Sequence, residues 1–165
     1  MSYDWSSFKL RIPINASIEE VYKCWSTSEG LTSWFLREAN FQSNEGVPRS
    51  VDEPVRPGDS YVWKWHGYGD DVKEEGHILS ANHKDELSFS FGKAGDVTVR
   101  IFTAKDVTIC EVEQTNIPTD EKGKEYYHLG CSKGWLFYLA NLKSYLQGGI
   151  DLRNRDVDLK DVINS

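Results

Sequence analysis

Residues 125–147 read EYYHLGCSKGWLFYLANLKSYLQ. In this stretch His128, Ser132, Trp135, Leu139, Leu142 and Leu146 follow one another at alternating steps of four and three residues. That stepping lays one apolar stripe along one side of an α-helix. Cys131, Leu136, Tyr138 and Tyr145 broaden the stripe, while Lys133, Asn141, Lys143 and Gln147 fall outside it. Gly148-Gly149 supplies a C-terminal stop. A helix with one greasy face needs a partner surface, and the preceding hundred or so residues have to provide it.

They read as short strands. Phe8–Ile14 alternates apolar with charged residues and reads as a half-buried strand, with Pro13 placing it at a sheet edge or marking the strand's end. Ser17 is an N-cap with Glu20 in the capping-box position, opening a short helix whose inner face is Ile18, Val21, Tyr22 and Trp25. Thr27-Ser28-Glu29-Gly30 breaks that helix, and Leu31–Trp34 forms another helical turn. A strand is expected over Phe35–Gln42, followed by a loop from Ser43 to Gly58 that is rich in Pro and Gly. Strands follow at Asp59–Trp65, Lys73–Ala81, Glu86–Phe91, Asp96–Thr103 and Val107–Thr115, separated by tight turns. Such a run is an antiparallel meander with one buried and one wet face, and Glu111 and Glu113 fall on the wet one. The fold class is α+β, with helices gathered on one face of the sheet. One domain over 1–165 is expected, with a core of about 8–150 and a polar tail at 151–165. Leu152, Val157, Leu159, Val162 and Ile163 are the tail's apolar docking points.

Composition narrows the function. Hydrophobic residues make up 39% and charged residues 27%, the balance of a water-soluble globular chain. Lys and Arg number 19 against 26 Asp and Glu, a net −7. That argues against nucleic acid as a partner and against anionic membranes. No apolar run approaches the roughly 20 residues of a membrane-spanning helix, and the first residues lack a signal-peptide pattern. Cys24, Cys110 and Cys131 are too far apart for a metal site or a redox pair and read as buried small hydrophobes of a cytoplasmic protein. Four scattered His residues form no zinc spacing, and no nucleotide-binding or nucleophile-elbow motif is present, so no cofactor is called for.

The aromatic content, 13% with six Trp, exceeds what a small core needs and points to a walled cavity. The candidates for its walls are Trp34, Phe35, Trp63, Trp65, Phe89, Phe91, Trp135 and Leu139. Ordinary core packing accounts for any one of them equally well. His77 and His128 are candidates for a polar handle or a general base among these aromatics. A lone His in such a setting is most commonly a hydrogen-bonded core residue. His66 and His83 fall at turns and are expected to be solvated, as is the hairpin tip bearing Asp70-Asp71 and Glu74-Glu75.

The segment VYKCWSTSEGLTSWF, Val21–Phe35, resembles the helix-turn-Trp signature of the START-like, polyketide-cyclase superfamily. More narrowly, it is similar to domains related to the activator of the heat-shock-protein-ninety ATPase. Arg56-Pro57-Gly58-Asp59, Glu75-Gly76-His77-Ile78 and Glu86-Leu87-Ser88-Phe89 sit where that family has its glycine turn and central strands, and Gly134-Trp135 with Leu139, Leu142 and Leu146 resemble its last helix. The resemblance spans about Phe8 to Arg153 and rests on order and spacing rather than on one strict motif. It implies a helix-grip fold, a curved antiparallel sheet holding the last helix with an apolar cavity between them. It transfers no catalytic residue. The expected function is binding of a small apolar or amphipathic molecule; the alternatives are a chaperone-regulating module and a cyclase- or hydrolase-type enzyme using His77 or His128. Eukaryotic chaperone activators carry a separate N-terminal domain, and only seven residues precede the first strand here, which weakens the chaperone alternative.

Overall fold

A computed structural model describes residues 3–159 and 161–163. Seven strands form one antiparallel sheet: β1 (Phe8–Ile14), β2 (Glu38–Gln42), β3 (Ser60–Lys64), β4 (Lys73–Ala81), β5 (Glu86–Ser90), β6 (Asp96–Ala104) and β7 (Val107–Thr115). Their order is β1-β7-β6-β5-β4-β3-β2, so β2 to β7 are a simple meander and β1 is added beside the last strand. Helices α1 (Ile18–Ser26) and α2 (Ser28–Trp34) carry the chain between the two sheet edges, and α3 (Gly130–Gly148) follows β7.

Local chemistry explains the boundaries. Ser17 accepts from the Glu20 amide while the Glu20 carboxylate accepts from the Ser17 amide, the reciprocal capping box expected for α1. Thr27 closes α1 and caps α2 through its hydroxyl, so the break is confined to one residue and Gly30 lies inside α2 rather than in a linker. Phe35–Arg37 do not extend β2: the Phe35 and Leu36 amides both bond to Leu31 O and turn the chain instead. The long loop after β2 is pinned by Arg49, whose guanidinium makes a two-pronged pair with the buried Asp59 and a second contact to Glu53.

The concave face of the sheet holds α3. Trp135, Tyr138, Leu139 and Leu142 of α3 are buried with Trp25, Trp34 and Phe35 from the short helices and with Tyr61, Trp63, Leu87, Phe89, Val97, Val99 and Val112 from the sheet. Two polar residues are buried there with hydrogen-bond partners on both their amide oxygen and nitrogen. Gln114 receives the Trp135 indole N–H at 2.9 Å and donates to Ala94 O at 2.8 Å. Asn141, expected outside the stripe, is buried because it donates to Trp34 O at 2.6 Å and accepts from the Leu152 amide at 2.7 Å. Leu136 is the converse case, 64% exposed on the outer side.

Two further expectations are corrected. Glu111 lies on the outer sheet face but is 3% exposed, because Arg11, Arg100 and Lys9 close over it. Burial opposes its ionisation, yet hydrogen bonds from Arg11 and Arg100 hold its carboxyl below the usual range. The start of the tail docks through polar groups rather than through its aliphatic residues. Leu152, Val157, Leu159, Val162 and Ile163 are exposed, whereas the Arg153 guanidinium is buried and donates to the carbonyls of Thr32, Ser33 and Leu36 and to Asp151. These bonds satisfy carbonyls at the end of α2, which has no following turn to accept.

Candidate functional site

Before α3 the chain winds through a wide π-helical segment, Gly123–Leu129. Single π turns of this kind displace a helix face and recur at functional sites. Here the segment brings Tyr126 and the first half of α3 over the end of the sheet, against the β3–β4 loop. Between them lies a cavity of about 350 Å³. α3 and its approach contribute Tyr126, Gly130, Cys131, Gly134, Trp135 and Tyr138; Phe35 caps the end of α2; the loop between β3 and β4 contributes Trp65, Tyr68 and Val72; Phe91 follows β5.

Seven of these eleven residues are aromatic and none is charged. Phe35 stands at the centre of the wall, with ring centroids 5.1 Å from Trp135, 4.8 Å from Tyr138 and 5.9 Å from Trp65. Trp135 also lies 5.8 Å from Phe91. The polar groups are hydroxyls and one thiol. Burial pushes the Tyr138 phenol and the Cys131 thiol up, so both are protonated at neutral pH.

The helical wall is open where two glycines lie one turn apart. A Cβ added at Gly134 meets nothing within 4 Å, and one added at Gly130 meets only Glu125 O at 3.7 Å. Neither position is reserved for glycine by packing, although each costs an α-helix about 1 kcal/mol relative to alanine. What their bare backbone provides is space.

Of the ten residues expected to line a cavity, Phe35, Trp65, Phe91 and Trp135 do so. Trp34, Trp63, Phe89 and Leu139 are wholly consumed by the core: Trp34 donates to Cys24 O at 3.0 Å, and Trp63 stacks on Tyr61 at 3.9 Å and meets Phe89 edge-on at 5.0 Å. His77 is exposed and borders a separate, more polar groove near Ser60 and Ser90. His128 is buried, 2.9 Å from Trp5 O through Nδ1 and 3.0 Å from the Tyr3 hydroxyl through Nε2, with Trp5 and Phe8 packed edge-on. Neither imidazole opens into the cavity. His66 is half-buried rather than solvated, and burial together with the nearby Arg153 lowers its pKa. Asp70 is solvated as expected, 73% exposed, and also pairs with Arg37 and Lys64. Cys24 and Cys110 are buried as expected, but Cys131 is half-exposed on the cavity wall. Among the described residues no group of three His, Cys, Asp or Glu side chains is arranged to hold a metal, and no helix is long and apolar enough to cross a membrane.

A curved antiparallel sheet gripping a C-terminal helix over an aromatic cavity defines a helix-grip protein of the START-like class. The chain belongs to the family described as activator of Hsp90 ATPase homolog 1-like protein, whose model matches residues 15–147. Solved structures agree on the fold. A Staphylococcus saprophyticus protein superposes with TM-score 0.69 at 18% identity, covering 89% of this chain and 96% of its own. The Aha1 dimer of Colwellia psychrerythraea, solved in solution, gives 0.66 at 15% identity, with 87% and 97% covered. DynU16, a protein of the dynemicin biosynthetic locus, gives 0.67 at 18% identity, with 91% of this chain and 50% of its own covered. Among curated proteins no sequence matches.

Proposed function

We propose that this protein binds a small, uncharged, largely aromatic or amphipathic molecule in the cavity between α3 and the β3–β4 loop. The observation that carries this reading is the pair Gly130 and Gly134, kept bare against helix propensity where the cavity meets α3. The wall chemistry agrees: aromatic faces for stacking, hydroxyls to orient a polar end, no charge to be left unpaired. Apolar area removed from water at about 25 cal/mol per Å² supplies the affinity. Native mass spectrometry of the freshly purified protein, and of protein incubated with panels of neutral aromatic and lipid molecules, tests it. Bound species of defined mass in the wild type, lost in Gly134→Leu, support the reading; no retention by either protein refutes it.

A second reading, regulation of a chaperone ATPase through the protein surface, is favoured by the Colwellia neighbour named Aha1 and by Tyr126, Leu129 and Leu136, all exposed on the π-helical segment and α3. It predicts a changed ATPase rate of a bacterial Hsp90 on addition of this protein. An unaltered rate removes it.

A further inference from the structure

The β3–β4 connection, residues 65–72, contributes Trp65, Tyr68 and Val72 to the cavity wall. Trp65 meets Phe35 edge-on, and Tyr68 and Val72, each 40% exposed, also line the opening. The chain between them is built to bend: Gly67 adopts a positive φ of 83° and Gly69 follows two residues later. Asp70 then ties the far side of this turn to the body of the protein. Its carboxylate accepts from Arg37 at 2.5 Å and lies 3.5 Å from Lys64. Asp70 is 73% exposed, whereas Arg37 and Lys64 are 30% and 21% exposed, so the anion is the movable half of the pair. Both cations also reach Glu38, at 3.8 and 3.3 Å. When Asp70 leaves, neither is stranded without a counter-charge.

We propose that the segment from His66 to Val72 is a lid on the cavity, latched by Asp70 to Arg37 and Lys64, and that this latch sets the rate at which a ligand enters and leaves. The proposal rests on the cavity-binding reading for its ligand but not for its motion. Tyr68 and Val72 rise with the turn, Trp65 stays on Phe35, and the mouth widens toward α3. Because the latch is partly exposed, its loss shifts the open–closed balance by about two- to fivefold, and salt weakens it in the same direction.

The test compares wild type, Asp70→Asn and, as a control at the exposed neighbouring carboxylate, Asp71→Asn. Stopped-flow fluorescence with N-phenyl-1-naphthylamine, a neutral aromatic dye, gives the association and dissociation rates; amide hydrogen exchange without dye follows residues 66–72 directly. Asp70→Asn is expected to raise both rates about two- to fivefold with little change in Kd, and to accelerate exchange at 66–72 while the β3 and β4 amides stay protected. Wild type in 1 M salt approaches the variant, and Asp71→Asn follows wild type. Rates and loop exchange in Asp70→Asn equal to those of wild type overturn the lid. If the dye binds neither protein, the cavity-binding reading fails, and the exchange arm alone decides the latch: acceleration confined to 66–72 upholds it, unchanged exchange overturns it.

Discussion

Replacing Gly134 by Ala is expected to make the protein more stable and a poorer binder at once. The residue sits in the second turn of α3, where glycine costs an exposed helix interior about 1 kcal/mol against alanine. The added methyl meets no atom within 4 Å, so no steric term offsets the gain. For a chain of this size about 1 kcal/mol raises Tm by roughly 2–4 °C, readable by calorimetry or by circular dichroism at 222 nm. The same methyl projects into the cavity wall. It displaces a ligand group of about its own size, worth about 0.8 kcal/mol when buried, and weakens binding about fourfold. Gly134→Leu carries the effect further and fills the recess. Paired measurements of Tm and dye Kd on wild type and the two variants give opposite signs if glycine is kept for access. A variant that loses stability would mean that the backbone at 134 is packed after all. One that gains stability with unchanged binding would mean that the recess is not where a ligand lies. Either result refutes the reasoning.

Other perturbations test the frame around the cavity. Arg153→Ala strips four carbonyl and carboxylate partners of a buried guanidinium and is expected to cost about 3 kcal/mol, seen as a lower urea midpoint; a loss below about 1 kcal/mol would show the tail start to be dispensable. Asp151 gives that anchor a pH dependence. Burial opposes its ionisation, but hydrogen bonds from Arg153 and Arg155 outweigh it and hold the folded pKa below the ordinary 3.8. Its stabilisation is therefore complete above that value and fades as pH falls through it, so the stability gap between wild type and Asp151→Asn should close in acid and not in base. Trp135→Phe leaves Gln114 Oε1 without its donor and should cost about 1–3 kcal/mol while enlarging the cavity, measured by denaturation and by dye affinity together. Of the three thiols, Cys131 should alkylate first and be shielded by bound ligand, because Cys24 and Cys110 are buried and their thiols are pushed up to about 12.

The strands were legible because alternation at period two is a local signal: Phe8–Ile14, Lys73–Ala81 and Val107–Thr115 begin and end where their alternation does. The helix stripe was legible for the same reason, and its two exceptions mark where tertiary partners overrule periodicity. Asn141 is drawn inward by carbonyl and amide groups of distant segments, and Leu136 turns outward because no element covers it. The cavity was harder to place. Bulk and aromaticity cannot distinguish a wall from a filled core, which is why Trp34, Trp63 and Phe89 read as liners and are core. Tyr68 and Val72 reach the site from a loop whose course depends on Asp70 finding Arg37, a contact 33 residues away in sequence. Gly130, Cys131 and Gly134 did carry a signal: three small residues within one turn of an otherwise bulky helix are anomalous as packing and intelligible as an opening.

The placement of β1 bears on how this chain can be cut. The stretch matching the family runs from residue 15 to 147, yet β1 ends at Ile14 and Arg153 lies six residues beyond the far boundary. Trimming to those limits would bare the whole flank of β7, from Thr108 to Gln114, as an unprotected template for intermolecular strand addition. It would also remove Tyr3 and Trp5 from His128 and leave the end of α2 uncapped. Recombinant fragments drawn to the family limits should therefore aggregate, while those spanning residues 3–155 should remain monodisperse.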